Sequence, residues 1–398
     1  MPNPLLGLLT DYPFDRLRDL LDGIQPPAGL RPYLLSVGEP RHAPPAFVAE
    51  TLATQADGWG RYPPLDGTAD FRSAVAQWLR RRYALPDGLI DPDRHVLPLA
   101  GTREGLFQVA QVIVRPSTTG AADRPLVLMP NPFYQVYVGA AIFAHAEPVF
   151  LSATEASGNQ PDLTAIDPAT LRRTALVYLC SPANPQGSVL DRTALIAAVE
   201  LARRYEFVLV LDECYADIYG EITPAGGLEA CAALGQGCRN VLVFHSLSKR
   251  SSAPGLRSGF VAGDPELITA FRRLRAFGGA SVPLPVLAAS AALWRDDEHA
   301  RVNRALYREK FALAERLLND RFGRVSPIGG FFLWLAVDDG ERAARRLWGE
   351  GAVRVLPGSY LARPSPDGTN PGASRIRLAL VDDLESTEDA LRRLLSIL

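Results

Sequence analysis

The chain has 398 residues, 47% hydrophobic and 22% charged, with a formal net charge of -2. That length calls for two domains, or one large α/β domain with an appendage, and the near-neutral charge gives no reason to expect nucleic acid or an anionic membrane as a partner. Nothing reads as an apolar span of about 20 residues, and residues 1–11 lack the regions of a secretory leader, so a cytoplasmic location is expected.

In chain order, the residues up to about Glu39 precede the first elements of the larger unit and are expected to join a smaller one. Seven short aliphatic runs then have the length of buried strands: Val96 to Leu99, Leu126 to Met129, Pro148 to Leu151, Ala175 to Leu179, Phe207 to Leu211, Val241 to Phe244 and Gly259 to Ala262. Segments of helical period lie between them, among them Arg103 to Val114 and Arg192 to Tyr205, the latter with Asp191 placed as its N-cap. Continuous apolar strands separated by helices predict a mostly parallel sheet covered on both faces. After about residue 285 the pattern changes to a long helical stretch from Val286 through Arg321. It is followed by a helix around Glu341 to Gly349, a Pro/Gly-rich connection from Arg363 to Ala373 and a strand over Arg375 to Val381. The expected division is 1–44 as an arm and part of a small domain, 45–285 as a large domain, and 286–398 as the small α/β domain.

The cysteines Cys180, Cys214, Cys231 and Cys238 show no C-x-x-C pairing and have no histidine at a useful spacing, so small buried hydrophobes are expected rather than metal ligands. His245, at a strand end, is expected to pack or hydrogen-bond.

Polar clusters fall at the carboxyl ends of four predicted strands, where ligands gather in open α/β sheets. Ser246, Ser248 and Lys249 follow one strand, with a second cation, Arg257, further along. Hydroxyls and a guanidinium can hold a phosphate while the amine bonds to an aldehyde, which is what pyridoxal 5′-phosphate (PLP) requires of a protein. A basic surface turn would look the same. Asp212 ends a buried run, where its carboxylate can face a protonated pyridine nitrogen, cap a helix or bind a metal. Tyr215 follows within reach of the same crevice. Asn184 lies in Ser181-Pro182-Ala183-Asn184-Pro185-Gln186-Gly187, which also reads as a common turn. Gly101-Thr102-Arg103-Glu104 joins a strand to a helix, so its free N–H groups suit an anion, as at any helix start.

Together, strand Asp212, Ser246-Leu247-Ser248-Lys249 and Arg257 resemble the class I/II aminotransferases of the aspartate aminotransferase type, PLP fold type I, and the resemblance runs from Ser36-Val37-Gly38-Glu39-Pro40 to Arg377. It implies PLP as cofactor and amino acids and 2-oxo acids as substrates. By the same resemblance Lys249 is the catalytic lysine bonded to the cofactor, Asp212 binds the pyridine nitrogen, and Asn184 and Tyr215 bind the ring oxygen. Gly101, Thr102, Arg103, Ser246, Ser248 and Arg257 surround the phosphate. Tyr134, in Asn131-Pro132-Phe133-Tyr134, matches the aromatic stacked on the ring, though it could equally fill the core. Tyr62 matches a tyrosine that reaches a neighbouring subunit's phosphate, implying a homodimer with shared active sites. Gly38 and Arg377 match the substrate contacts. A guanidinium suits a carboxylate bidentately, and Arg375, two residues away along the strand, is the rival for that role.

Asn3-Pro4-Leu5-Leu6, Tyr12-Pro13-Phe14, Gly38-Glu39-Pro40-Arg41-His42, Arg61-Tyr62-Pro63-Pro64-Leu65 and Phe244 to Ser251 resemble a branch of the family acting on succinylated diamino acids. Gln186, where threonine is usual, Ser252-Ala253 and the segment Gly278 to Pro285 depart from that pattern. Arg41 is a candidate for a distal substrate carboxylate, with a solvated surface arginine as its bland reading.

Overall fold

The computed structural model describes residues 2–117, 123–365 and 367–398. All seven aliphatic runs form one sheet: β1 (Val96–Leu99), β2 (Leu126–Asn131), β3 (Glu147–Ser152), β4 (Thr174–Cys180), β5 (Val208–Asp212), β6 (Val241–Ser246) and β7 (Gly259–Gly263), in the order β1-β7-β6-β5-β4-β2-β3. β7 is the one antiparallel member, paired with β1 and β6. A parallel neighbour needs a crossover element, and residues 247–258 between β6 and β7 hold only the single turns Leu247–Arg250 and Pro254–Leu256.

Successive strand residues feed opposite faces. Val177, Leu209, Leu211 and Val243 pack in one core, and Leu176, Tyr178, Val210, Leu242 and Phe244 in the other. Burial on both faces is why these strands read as continuous rather than alternating apolar runs. β3 differs from the buried strand expected there: at the sheet edge, its residues are half-buried or exposed. The helix Arg192–Tyr205 is capped by Asp191, which accepts from the Ala194 N–H at 2.8 Å, and it buries Leu195, Ala198, Val199 and Ala202 against the sheet.

A second sheet holds β8 (Phe332–Ala336), β9 (Leu356–Pro357) and β10 (Arg375–Ala379), with β10 central and antiparallel to both. Its core combines Leu17, Leu20, Tyr33 and Leu35 from the opening residues with Tyr307, Phe311, Leu333, Ile376 and Leu394. The N-terminal segment therefore packs with the smaller body. The helical stretch expected over 286–321 is two helices, Leu284–Arg295 and Glu298–Phe322. They part at Asp296-Asp297 because Asp296 accepts from the His299 N–H and the Arg250 guanidinium binds the Asp296 carbonyl and the Asp297 carboxylate. Val286, Leu287, Ala289 and Trp294 of the first helix lie in the large sheet's core, whereas Tyr307, Phe311 and Leu318 of the second lie in the small sheet's core. Over 363–373, residue 366 lies outside the described residues and the others form neither helix nor strand.

Candidate active site

The carboxyl ends of β1, β4, β5 and β6 open into one crevice against the small body. Lys249 sits in the turn after β6, and its Nζ donates to the Gly38 carbonyl at 2.8 Å. The rings of Phe331 and Tyr215 flank the amine, 5.3 and 5.8 Å from Nζ to their centroids. Burial lowers the amine to about 8, with help from the charges of Arg377 and Arg103. At that value about a tenth of the amine is free base at pH 7, far more than for an ordinary lysine.

Asp212 ends β5 fully buried. Its carboxylate accepts from the Tyr137 hydroxyl at 2.7 Å and from the Cys214 N–H at 3.3 Å. Burial raises its pKa, and these bonds work against the rise. Arg377, buried on β10, donates to the Asn184 Oδ1 at 2.9 Å and to the Ser36 carbonyl at 2.8 Å, with its guanidinium 4.2 Å from the centroid of the Phe332 ring. Its Nε is buried without a partner among the described residues, and burial pulls the guanidinium down to about 10. Arg375 pairs instead with Glu155 at 2.5 Å. The turn of Gly38 passes against Phe332, whose ring would lie 2.5 Å from any Cβ added there.

The helix Thr102–Ile113 starts after Gly101, whose φ of +84° has no side-chain cap, so the first N–H groups face the crevice uncapped. A Cβ on Gly101 would strike the guanidinium of Arg257. Arg257 is exposed and donates to the Pro254 carbonyl at 2.9 Å. Ser246 and Ser248 are buried with their hydroxyls 3.0 Å apart. Arg103 donates through Nε to the Tyr134 hydroxyl at 2.8 Å, and burial pushes that phenol up to about 12. A cavity of about 400 Å³, lined by Ala100, Arg103, Glu104, Phe107, Val136 and Arg257 among others, opens beside this helix start. Tyr62 is fully exposed and lies outside the cluster.

Residues 32–394 match the family described as Aminotransferase class I and II. The chain belongs to this family. It is similar to an aminotransferase of Neisseria meningitidis solved by crystallography, with 40% identity, a TM-score of 0.93 and coverage of 99% of both chains. It is 30% identical to the LL-diaminopimelate aminotransferase of Desulforudis audaxviator over 88% of each protein. A Thermus thermophilus structure described as a probable N-succinyldiaminopimelate aminotransferase shares 25% identity and a TM-score of 0.83, over 97% of this chain and 100% of that one.

This aminotransferase is a transaminase of fold type I, and its family uses PLP. The residues present fit that group. An uncapped helix start beside Arg257 suits a phosphate dianion, a buried carboxylate without a cationic side chain bonded to it suits a protonated ring nitrogen, and a buried amine lowered to about 8 suits an aldehyde. The sequence also contains only two lysines, Lys249 and Lys310, so the choice of amine is binary.

Several neighbours escaped the sequence reading. Tyr137, the partner of Asp212, stacks on Tyr178 with centroids 4.6 Å apart. Cys214, expected as a packing residue, is half-buried with its thiol 3.1 Å from the Thr102 hydroxyl, inside the site. His245 packs edge-on to Trp78 with centroids 4.9 Å apart, and its Nε2 lies 2.8 Å from the buried Glu213 carboxylate without hydrogen-bond alignment. Arg41 is committed to Asp382, so it is not the free cation its position implied. The Tyr12 phenol lies close enough to affect the ionisation of Arg377, Arg103 and Tyr134.

A buried chain of donors also reaches Lys249 from behind. Asn303 Nδ2 donates to the carbonyls of Lys249 and Arg250 at 3.0 and 3.1 Å, so its oxygen faces His42 Nδ1 at 2.7 Å. That nitrogen must carry the proton, which leaves His42 Nε2 to accept from Lys310 at 2.6 Å. Lys310 is thereby occupied. Burial lowers its amine to about 8 and also lowers His42.

Proposed function

We propose that this transaminase exchanges an amine between glutamate and the N-succinyl-2-amino-6-oxopimelate/N-succinyl-LL-2,6-diaminopimelate pair, a step of lysine biosynthesis, with PLP bonded to Lys249. The observation that carries the reading is a depressed, buried lysine amine in the same crevice as a buried guanidinium with an unpartnered Nε. The choice of substrate is supported by the N-terminal and Lys249 segments described above and by the likeness to the Thermus and Desulforudis proteins.

Each residue then has a role. Arg377 holds the substrate α-carboxylate, oriented by Asn184 and Ser36, with the Gly38 backbone alongside. Bound PLP supplies an aldehyde to capture the amine and an electron-poor ring to stabilise negative charge at Cα. Lys249 takes the Cα proton and returns it on the cofactor side, and a depressed amine is suited to both transfers. Asp212, held by Tyr137, would keep the ring nitrogen protonated, while Asn184 and Tyr215 would hold the ring oxygen and Tyr134 would stack on the ring. Gly101, Thr102, Arg103, Ser246, Ser248 and Arg257 hold the phosphate. With a second 2-oxo acid, Arg377 would hold its carboxylate and Lys249 would move the proton in the opposite direction.

The reading includes a cytoplasmic homodimer whose partner lends Tyr62. Tyr62 is 100% exposed, Phe277 90% and Trp59 57%, and large aromatic side chains left this exposed favour association. It also includes a large domain around the seven-stranded sheet and a small domain around β8–β10, joined by the opening residues.

The test is glutamate formation from 2-oxoglutarate with N-succinyl-LL-2,6-diaminopimelate, free LL-2,6-diaminopimelate and simple amino acids as donors. The succinylated donor should give the highest kcat/KM. A preference for the free diamine would move the assignment to the unsuccinylated reaction, and ammonia released without glutamate would move it to a lyase.

A further inference from the structure

With Arg41 tied to Asp382, the groups that meet the far end of a long substrate must lie elsewhere. The helix Pro13–Leu20 begins at Tyr12, whose phenol is near Arg377, Arg103 and Tyr134, and the Arg16 N–H bonds to the Tyr12 carbonyl one turn along. The Arg16 guanidinium lies 3.8 Å from the centroid of the Tyr360 ring. Arg363 approaches from the other side. Its N–H and carbonyl are both bonded to the side chain of Asn131, at 3.0 and 2.8 Å, three residues before the ring-stacking Tyr134. Its guanidinium lies 5.1 Å from the Phe133 ring centroid and reaches the Thr10 hydroxyl and the Ala362 carbonyl.

Both arginines are half-buried, and among the described residues neither has a carboxylate within ion-pairing distance. Burial and the charge of Arg16 both lower the Arg363 guanidinium from its ordinary value. Elsewhere Arg275 is matched by Glu104, Arg82 by Asp217 and Arg375 by Glu155, while Arg304 and Arg354 also lack an ion-pair partner among the described residues; Arg16 and Arg363 differ in that both are unpaired and lie close enough for one to depress the other. Two neighbouring, partly desolvated guanidinium groups without an anion are costly unless a ligand supplies one.

We propose that Arg16 and Arg363 form the subsite for the distal carboxylates of the substrate, at the mouth of the crevice between the N-terminal helix and the loop after Tyr360. The proposal rests on the function above. A succinylated diamino dicarboxylate has three carboxylates, one for Arg377 and two remaining at the far end, which matches the two free cations. The planar forks of arginine suit such recognition, and each charge-assisted contact accounts for about a tenfold preference over a substrate lacking that carboxylate.

The test uses the holoenzyme and the variants Arg16→Gln, Arg363→Gln and the double variant. Dissociation constants are read from the cofactor absorbance during titration with N-succinyl-LL-2,6-diaminopimelate, LL-2,6-diaminopimelate and L-2-aminobutyrate. The preference for the succinylated compound over aminobutyrate should fall about tenfold in each single variant and about a hundredfold in the double one. Arg363→Lys should recover much of the loss. Equal weakening toward all three compounds, or an unchanged preference, overturns the subsite. If wild-type enzyme turns over only the free diamine, the succinyl assignment fails. The subsite is then judged from diaminopimelate against aminobutyrate, which lacks the distal carboxylate together with its amine and linking carbons.

Discussion

Arg377→Gln separates substrate binding from fold stability. The side chain sits at 4% exposure, with two donors occupied by Asn184 and Ser36 and a buried, unpartnered Nε. Removing a buried, hydrogen-bonded charge partner of a carboxylate costs about 2–5 kcal/mol. At about 1.4 kcal/mol per tenfold, that is a loss of roughly 30- to 3,000-fold in kcat/KM. Because the α-carboxylate is held alike before and during the proton transfer, the loss should fall mainly on KM, with kcat much less affected. Stability should move little. The drop of the guanidinium from its ordinary value to about 10 marks a burial penalty of about 3 kcal/mol that glutamine escapes, while the Ser36 carbonyl loses a donor worth about 1–3 kcal/mol. Steady-state kinetics with a panel of amino donors, beside thermal melts, reads both quantities. An unchanged KM in Arg377→Gln with a raised KM in Arg375→Gln would refute the reasoning and transfer the role to Arg375.

Two further outcomes follow from the same geometry. Gly101→Ala places a side chain at φ +84° against the Arg257 guanidinium, so PLP affinity should fall about tenfold or more with little change in far-UV circular dichroism; equal affinity by absorbance titration would remove the phosphate from this helix start. Lys310 is depressed to about 8 from 10.5, so between those values the unfolded chain binds more protons and the protein should gain stability as pH rises. Lys310→Met should flatten that rise in denaturation curves of the cofactor-free protein, and an unaltered pH slope would contradict the buried donor chain.

Much of the scaffold was legible because parallel strands buried on both faces leave continuous aliphatic runs. The residues that end β5 and β6, Asp212 and the Lys249 loop, stand out against such runs. What stayed hidden is what tertiary packing assembles. Tyr137, between Val136 and Val138, reads as core filler, and only the fold brings its hydroxyl under Asp212. His42 and Lys310 are 268 residues apart, and no local pattern announces their bond. The break at Asp296-Asp297 depends on Arg250, far away in sequence, so helical period alone carried the stretch through it. Arg41 looked free because its partner, Asp382, lies near the other end of the chain.

The central claim is that Lys249 carries the cofactor. With only two lysines in the chain, borohydride reduction of the PLP-loaded protein followed by peptide mass spectrometry gives a two-way answer. The phosphopyridoxyl mass should appear on the peptide containing Lys249 and leave Lys310 unmodified. A label on Lys310, or on neither lysine, would contradict the account.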